Sequence, residues 1–131
     1  MLSESGLPIV GKVAAGEPVL AVEHIEDHLA LDSDLFHPKP DYLLHVKGDS
    51  MRDAGIHEGD LLVVHRNQHP VNGQIVVARL DDDEVTVKRY KKNQRWISLV
   101  PENPDYEILR IDPRKRTIVI EGIVVGVLRR Y

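Results

Sequence analysis

The chain contains no cysteine, which excludes a disulfide framework, a thiolate nucleophile and a Cys-rich zinc site, and permits a reducing compartment. A basic excess is also missing. Seventeen Lys and Arg stand against twenty-one Asp and Glu, for a formal charge of -4 and a pI near 5.9. A domain that grips nucleic acid by itself carries the opposite footprint. Residues 1–10 have neither the basic head nor the apolar run of a signal peptide, and no uninterrupted apolar stretch approaches the length of a membrane helix. A soluble, cytoplasmic protein with no membrane contact is expected. Aromatics are few, with one Phe, one Trp and four Tyr, and so are hydroxyl residues, with five Ser and two Thr.

What fills the core instead is Val and Ile, seventeen and ten residues respectively, which are stiff at χ1 and suit a pleated surface. Nine Gly and eight Pro are spread along the chain, so few windows can hold a long helix. The composition predicts a mostly β fold with minimal helix, and 131 residues fit one domain. Residues 1–6 read as a flexible lead or linker remnant and 7–131 as the domain; Leu7 shares the polar, small character of the lead. Pro8 to Val13 is short and apolar. Ala14, Ala15, Gly16, Glu17 and Pro18 form an exposed loop of small residues. Val19 to Leu31 shows no clean period and reads as irregular. Strands are predicted over Tyr42–Val46, Leu61–His65, Ile75–Leu80, Trp96–Val100, Tyr106–Ile111 and Thr117–Leu128, with bulges at Gly122 and Gly126. Leu61–His65 and Ile75–Leu80 are continuous apolar runs, the pattern of strands covered on both faces. After a turn at Asp81–Asp83, Val85 and Val87 alternate with Thr86, Lys88 and Tyr90, which places Thr86 and Lys88 on one face; Lys91 and Lys92 fall beyond this strand. The expected architecture is a compact, coiled β domain, antiparallel or mixed.

Two constellations invite chemistry. His24 and His28 stand four apart, but the zincin pattern needs Glu directly after the first His and Ile25 is there. Solvated His on a loop is the expectation, and no metal site is read. The second constellation starts at Gly48-Asp49-Ser50-Met51, where the chain leaves a strand and enters a short helix that Gly55 ends, with Asp49 or Ser50 as its cap. The unpartnered N–H groups of such a first turn can form an oxyanion hole beside a nucleophilic hydroxyl; a plain N-cap is the alternative. A serine needs a base, and a lysine whose charge is removed by burial can serve. Lys88, inside a strand beside Val85 and Val87, is the best placed lysine, unless it is simply an outward charge on a half-solvated strand.

Val13-Ala14-Ala15-Gly16-Glu17-Pro18, Gly48-Asp49-Ser50-Met51, Gly59-Asp60, Asn72-Gly73 and Val85-Thr86-Val87-Lys88-Arg89 occur together, with a closing Ile120-Glu121-Gly122-Ile123-Val124-Val125-Gly126-Val127. In order and spacing this set resembles the self-cleaving Ser-Lys peptidases of the LexA and UmuD type, the S24 family, from Gly6 to Tyr131. The resemblance implies the coiled β fold of the LexA and signal peptidase type. It implies Ser50 as nucleophile, Lys88 as neutral general base, Ala15-Gly16 as the scissile bond, Thr86 as hydrogen-bond partner of the lysine, and the N–H groups of Asp49 and Ser50 as the oxyanion hole, with no cofactor. It implies a repressor of the SOS response, inactivated by its own cleavage when the activated RecA filament on single-stranded DNA favours docking of the loop, and a homodimer formed through the C-terminal segment.

The chain departs from that pattern in two places. LexA repressors carry an N-terminal helix-turn-helix domain, whereas this chain begins fourteen residues before Ala15, so an isolated catalytic fragment is expected, with operator DNA contacted only through the absent domain. Asp49 stands where better known LexA sequences have Met, and its carboxylate could alter the electrostatics of the lysine. A UmuD-like translesion polymerase accessory is the main rival; its usual scissile pair begins with Cys, unlike Ala15-Gly16. A signal peptidase would need a membrane anchor, and a non-catalytic β module would leave Ser50 and Lys88 unused.

Overall fold

The computed structural model describes residues 6–81 and 85–131. Of the expected lead only Gly6 is described, and of the expected turn over Asp81–Asp83 only Asp81, at φ 46°; the remaining residues of both lie outside the described residues. Nine strands form one mixed sheet: β1 (Leu7–Val10), β2 (Ile25–Leu29), β3 (Tyr42–His45), β4 (Leu61–His65), β5 (Ile75–Leu80), β6 (Val85–Asn93), β7 (Trp96–Val100), β8 (Leu109–Ile111) and β9 (Ile118–Leu128). Their order is β2-β1-β3-β4-β9-β5-β6-β7-β8. Only β1 and β3 run parallel; every other pairing is antiparallel. Among the described residues helix is limited to single 3-10 turns at Val22–His24, Ser33–Leu35 and Arg52–Ala54. The mostly β expectation holds.

Alternation explains how one sheet makes two cores. On β5, Val77 faces a cluster with Val10, Tyr42, Leu44, Met51, Ile56 and Leu62, while its neighbours Val76 and Ala78 face a second with Tyr90, Leu99 and Ile111. All three β5 residues are fully buried, as a continuous apolar run predicts. The long β9 is bent at two points. Its register slips opposite Val77/Ala78 and again opposite Val63/Val64, so Glu121 and Val125 have no partner in the ladder. These are the bulges that Gly122 and Gly126 signal. Ile118–Ile123 pairs with β5 and Ile123–Leu128 with β4, so among the described residues the second half of β9 keeps one edge unpaired.

Several expectations are corrected. Leu7, which reads as small and polar like the lead, instead opens β1 and pairs with Leu29. Ile25–Leu29 is a strand although its pattern is mixed; it is an edge strand exposed along Glu26, Asp27 and His28, and an edge needs no apolar alternation on its open side. Lys91 and Lys92 lie within β6, held there by pairing with Ser98 and Ile97. The strand expected from Tyr106 starts only at Leu109, because the chain from Asn103 to Tyr106 makes a turn with Tyr106 N–H donating to Asn103 C=O.

Candidate active site

The turn after β3 is shaped by its backbone. Gly48 adopts φ +73°, a left-handed conformation that glycine enters without cost, and its N–H donates to Glu58 at 2.8 Å. Gly55, at φ +81°, ends the 3-10 turn that follows. Met51 occupies the N-cap position and no side chain caps the turn, which corrects the expectation that Asp49 or Ser50 does so. The Ser50 hydroxyl is therefore not engaged with the backbone of its own turn.

It meets Lys88 instead. Lys88 Nζ lies 3.0 Å from Ser50 Oγ and donates to Thr86 Oγ1 at 2.6 Å. The period of two along β6 puts Thr86 and Lys88 on the same face, and pairing of Val76, Val77 and Ala78 with Lys88, Val87 and Thr86 sets them beside the buried strand β5. Burial pushes the Lys88 amine below the usual lysine range. Among the described residues no carboxylate forms an ion pair with it. The Asp49 carboxylate is drawn away, accepting a 2.6 Å hydrogen bond from the Tyr106 hydroxyl, whose own titration it raises.

The residues 102–106, which sequence reasoning missed, fix the Ser50 peptide from the other side. Glu102 N–H donates to Ser50 C=O and Asp53 N–H to Glu102 C=O, both at 2.8 Å. Asn103, buried to 4% exposure, donates from Nδ2 to Asp49 C=O at 2.9 Å and accepts Asp105 N–H at 3.0 Å. Asp49 C=O and Ser50 N–H belong to one planar trans peptide and point in opposite directions. By holding the carbonyl, Asn103 aims the Ser50 N–H away from itself, and among the described residues neither that N–H nor the one of Asp49 has an acceptor. A polar residue between Pro101 and Pro104 was the only hint in the sequence, and it reads equally well as an exposed loop.

Gly11, Val13, Leu44, Met51, Ile56, Val85, Val87 and Tyr106 wall a cavity of about 260 Å³ around Ser50 and Lys88. A hydroxyl, a half-buried amine without a counter-ion and two free N–H donors in an apolar recess are the parts that acyl transfer needs. Ala15 and Gly16 do not line this cavity. They form the corner of a β-turn, with Glu17 N–H donating to Ala14 C=O at 3.2 Å and Gly16 at φ +79°, where the third position of a type II turn favours glycine. The segment is thus turned rather than extended. Side chains hold it: Arg79 donates to Gly16 C=O at 3.3 Å and to Glu121 at 2.9 Å, and Glu121 accepts Val19 N–H at 3.3 Å. The β9 bulge is what frees Glu121 for this contact.

His24 holds the same segment and corrects a second expectation. It is buried, 5% exposed, rather than solvated. Its Nδ1 lies 2.9 Å from Pro18 C=O, and its Nε2 lies 3.2 Å from Ala14 N–H and 3.0 Å from Glu17 Oε1. His28 sits apart, exposed on β2, so the two His do not converge.

The Peptidase S24-like family model matches residues 8–125. Among curated proteins the chain is 56% identical over 129 residues to the LexA repressor of Erwinia tasmaniensis, covering 98% of this chain and 63% of that one. It is 54% identical to the LexA repressor of Photorhabdus laumondii, over 98% of this chain and 64% of the relative. With the LexA repressor of Shewanella sp. strain MR-7 the identity is 54%, over 97% and 61%. The chain thus spans a little under two thirds of the length of these relatives. No helix among the described residues is long and apolar enough to cross a membrane.

Proposed function

The chain belongs to the Peptidase S24-like family, and from that premise we propose that residues 7–131 are the self-cleaving and dimerisation domain of a LexA-type transcriptional repressor of the SOS response to DNA damage. It acts as a serine endopeptidase on its own Ala15-Gly16 bond. The observation that carries this reading is the 3.0 Å approach of Lys88 Nζ to Ser50 Oγ, with the amine partly desolvated and no ion pair to it among the described residues. Neutral Lys88 takes the Ser50 proton as Oγ attacks the Ala15 carbonyl carbon, and Thr86 holds the amine in line. The N–H groups of Asp49 and Ser50 receive the oxyanion. The intermediate collapses as Lys88 returns the proton to the departing Gly16 nitrogen, and water activated by the same lysine hydrolyses the Ala15 ester.

Because the substrate is tethered, docking replaces affinity as the control point. The activated RecA filament on single-stranded DNA favours the docked loop and supplies no catalytic group. Operator DNA is held by a separate helix-turn-helix domain, in keeping with the net charge of -4 of this chain. A homodimer forms through the open edge of Val124–Leu128 on β9, and the protein works in the cytoplasm without cofactor or metal.

Incubating the purified chain at alkaline pH and weighing the products tests the reading. Fragments of 15 and 116 residues are expected, at a fractional rate independent of protein concentration. Ser50→Ala and Lys88→Ala should abolish them. An unchanged rate in either variant would overturn the assignment.

A further inference from the structure

His24 makes three polar contacts through two nitrogens, and one nitrogen cannot serve both of its neighbours at once. To accept the Ala14 N–H, Nε2 must offer its lone pair; to bond the Glu17 carboxylate, it must carry a proton. Nδ1 is free of this conflict, because in either state it donates to Pro18 C=O. The two backbone groups bracket residues 15 and 16, one immediately before them and one two residues after. A side chain this buried, aimed at both flanks of one β-turn, is a clamp whose grip depends on a single proton.

We propose that His24 is a positioning residue for the cleavage segment: neutral, it ties Ala14 N–H and Pro18 C=O to one ring and fixes the turn between them; protonated, it releases Ala14 and binds Glu17. This rests on the self-cleavage reading for its consequence, though not for its geometry. The charged groups around the ring are Glu17 from the loop and Glu23 from its own 3-10 turn, whose carboxylates lie within 4.8 Å of it and of each other. On the sheet side the Arg79 and Glu121 pair meets the same loop at Gly16 and Val19. Of these, Glu17 is the one that can replace Ala14 as the partner of Nε2. When Ala14 is released the turn keeps the Arg79 contact alone on its scissile side.

The consequence concerns the acid side of the reaction. Cleavage needs the proton off Lys88, which alone gives a rate rising about tenfold per pH unit. Because the clamped turn is the undocked one, release of Ala14 by the protonated ring eases docking, so the logarithm of the rate should rise with a slope of about one on either side of the His24 midpoint and flatten across it. His24→Gln keeps a donor and an acceptor but cannot titrate in this range, so its profile should keep a slope of about one throughout.

The geometry is tested first without cleavage. In uniformly labelled Ser50→Ala protein, the Ala14 amide resonance should move with pH at the same midpoint as the His24 ring, and in Ser50→Ala/His24→Gln that movement should vanish. An Ala14 amide that stays still while the ring titrates overturns the proposal, whatever the activity. In the protein with Ser50 intact, His24→Ala should speed cleavage about tenfold on the alkaline plateau, the worth of one or two hydrogen bonds that otherwise hold the undocked turn, while the midpoint of the Lys88 limb stays in place. A His24→Ala rate no faster than the parent's, or a slope of one throughout in the parent, also overturns it. Absence of any cutting by the parent would refute the self-cleavage reading instead, and the amide titration would still report on the clamp.

Discussion

Asn103→Ala separates the support of the Ser50 peptide from the dyad itself. Asn103 Nδ2 gives Asp49 C=O its short hydrogen bond, at 2.9 Å, and the other donor to that carbonyl, Arg52 N–H, is at 3.2 Å. Truncation removes that bond and the one accepted from Asp105 N–H and leaves a small void at a buried position. Two hydrogen bonds at about 1 kcal/mol each give a stability loss of about 2 kcal/mol, readable as a lower urea midpoint with unchanged m. The effect on rate follows from the peptide plane. With the carbonyl less firmly held, the Ser50 N–H loses its aim; complete loss of an oxyanion donor costs about 100-fold or more in rate, and a donor that is loosened rather than deleted should cost about tenfold. The assay is cleavage followed by mass on the alkaline plateau, where Lys88 is already neutral and proton removal no longer limits. The Lys88 midpoint should not move. A variant destabilised as expected but cutting within about twofold of the parent would refute the claim that Asn103 aims the Ser50 amide.

Burial lowers the Lys88 titration in the folded state, so between the folded and unfolded values the unfolded chain binds more protons and stability rises with pH. Lys88→Met should therefore raise Tm near neutral pH, with the gain fading as pH approaches the free lysine value of about 10.4; no gain at neutral pH would contradict the desolvation. Arg129→Ala removes the cation that contacts both oxygens of buried Asp60 at 2.7 and 2.8 Å. Leaving that carboxylate unpaired should cost about 3 kcal/mol by chemical denaturation. In the parent, Arg129 holds Asp60 below the usual carboxylate range, so its contribution is present above about pH 3.9 and is lost only as pH falls through the lower folded value. Acid unfolding of Arg129→Ala should accordingly begin at higher pH, and coincident acid transitions would count against the pair.

The elements that were legible in the sequence are those whose burial leaves a simple pattern. Two continuous apolar runs gave β4 and β5, and the period of two from Val85 put Thr86 and Lys88 on one face before any coordinates. The glycines at 122 and 126 marked bulges because a strand tolerates them poorly elsewhere. The illegible parts depend on long-range contact. β2 has no alternation because it is an open edge, and its pairing with β1 comes from adjacency across the loop rather than from its own residues. Asn103 and His24 are polar groups whose value lies in backbone atoms 54 and 10 residues away, and no spacing encodes that. On its own segment Ser50 reads as a cap as readily as a nucleophile, because capping is what Ser does most often at such a turn; the position of Met51 and the approach of Lys88 leave the hydroxyl out of the capping role.

The way residues 14–19 are held bears on how an enzyme of the proposed kind can stay latent while carrying its substrate. β1 leads the chain up to the site, with Gly11 N–H donating to His24 C=O at 3.0 Å, and Val13 reaches the cavity wall. From there the ladder stops. Residues 14–19 keep their place through contacts with three side chains, His24, Arg79 and Glu121, each from a different part of the fold. A strand moving out of a sheet would break a row of backbone bonds together, whereas this segment can exchange a few side-chain contacts one at a time. The difference between turned and docked arrangements is then a few hydrogen bonds, at about 1 kcal/mol each. A partner surface can supply that through differential contact with the docked form alone. Tethering does the rest: a docked population of about one per cent already presents the bond to Ser50 at an effective concentration no free peptide could match. On the proposed reading, latency and responsiveness come from the same feature, a substrate fastened beside the cavity by side chains rather than woven into the sheet.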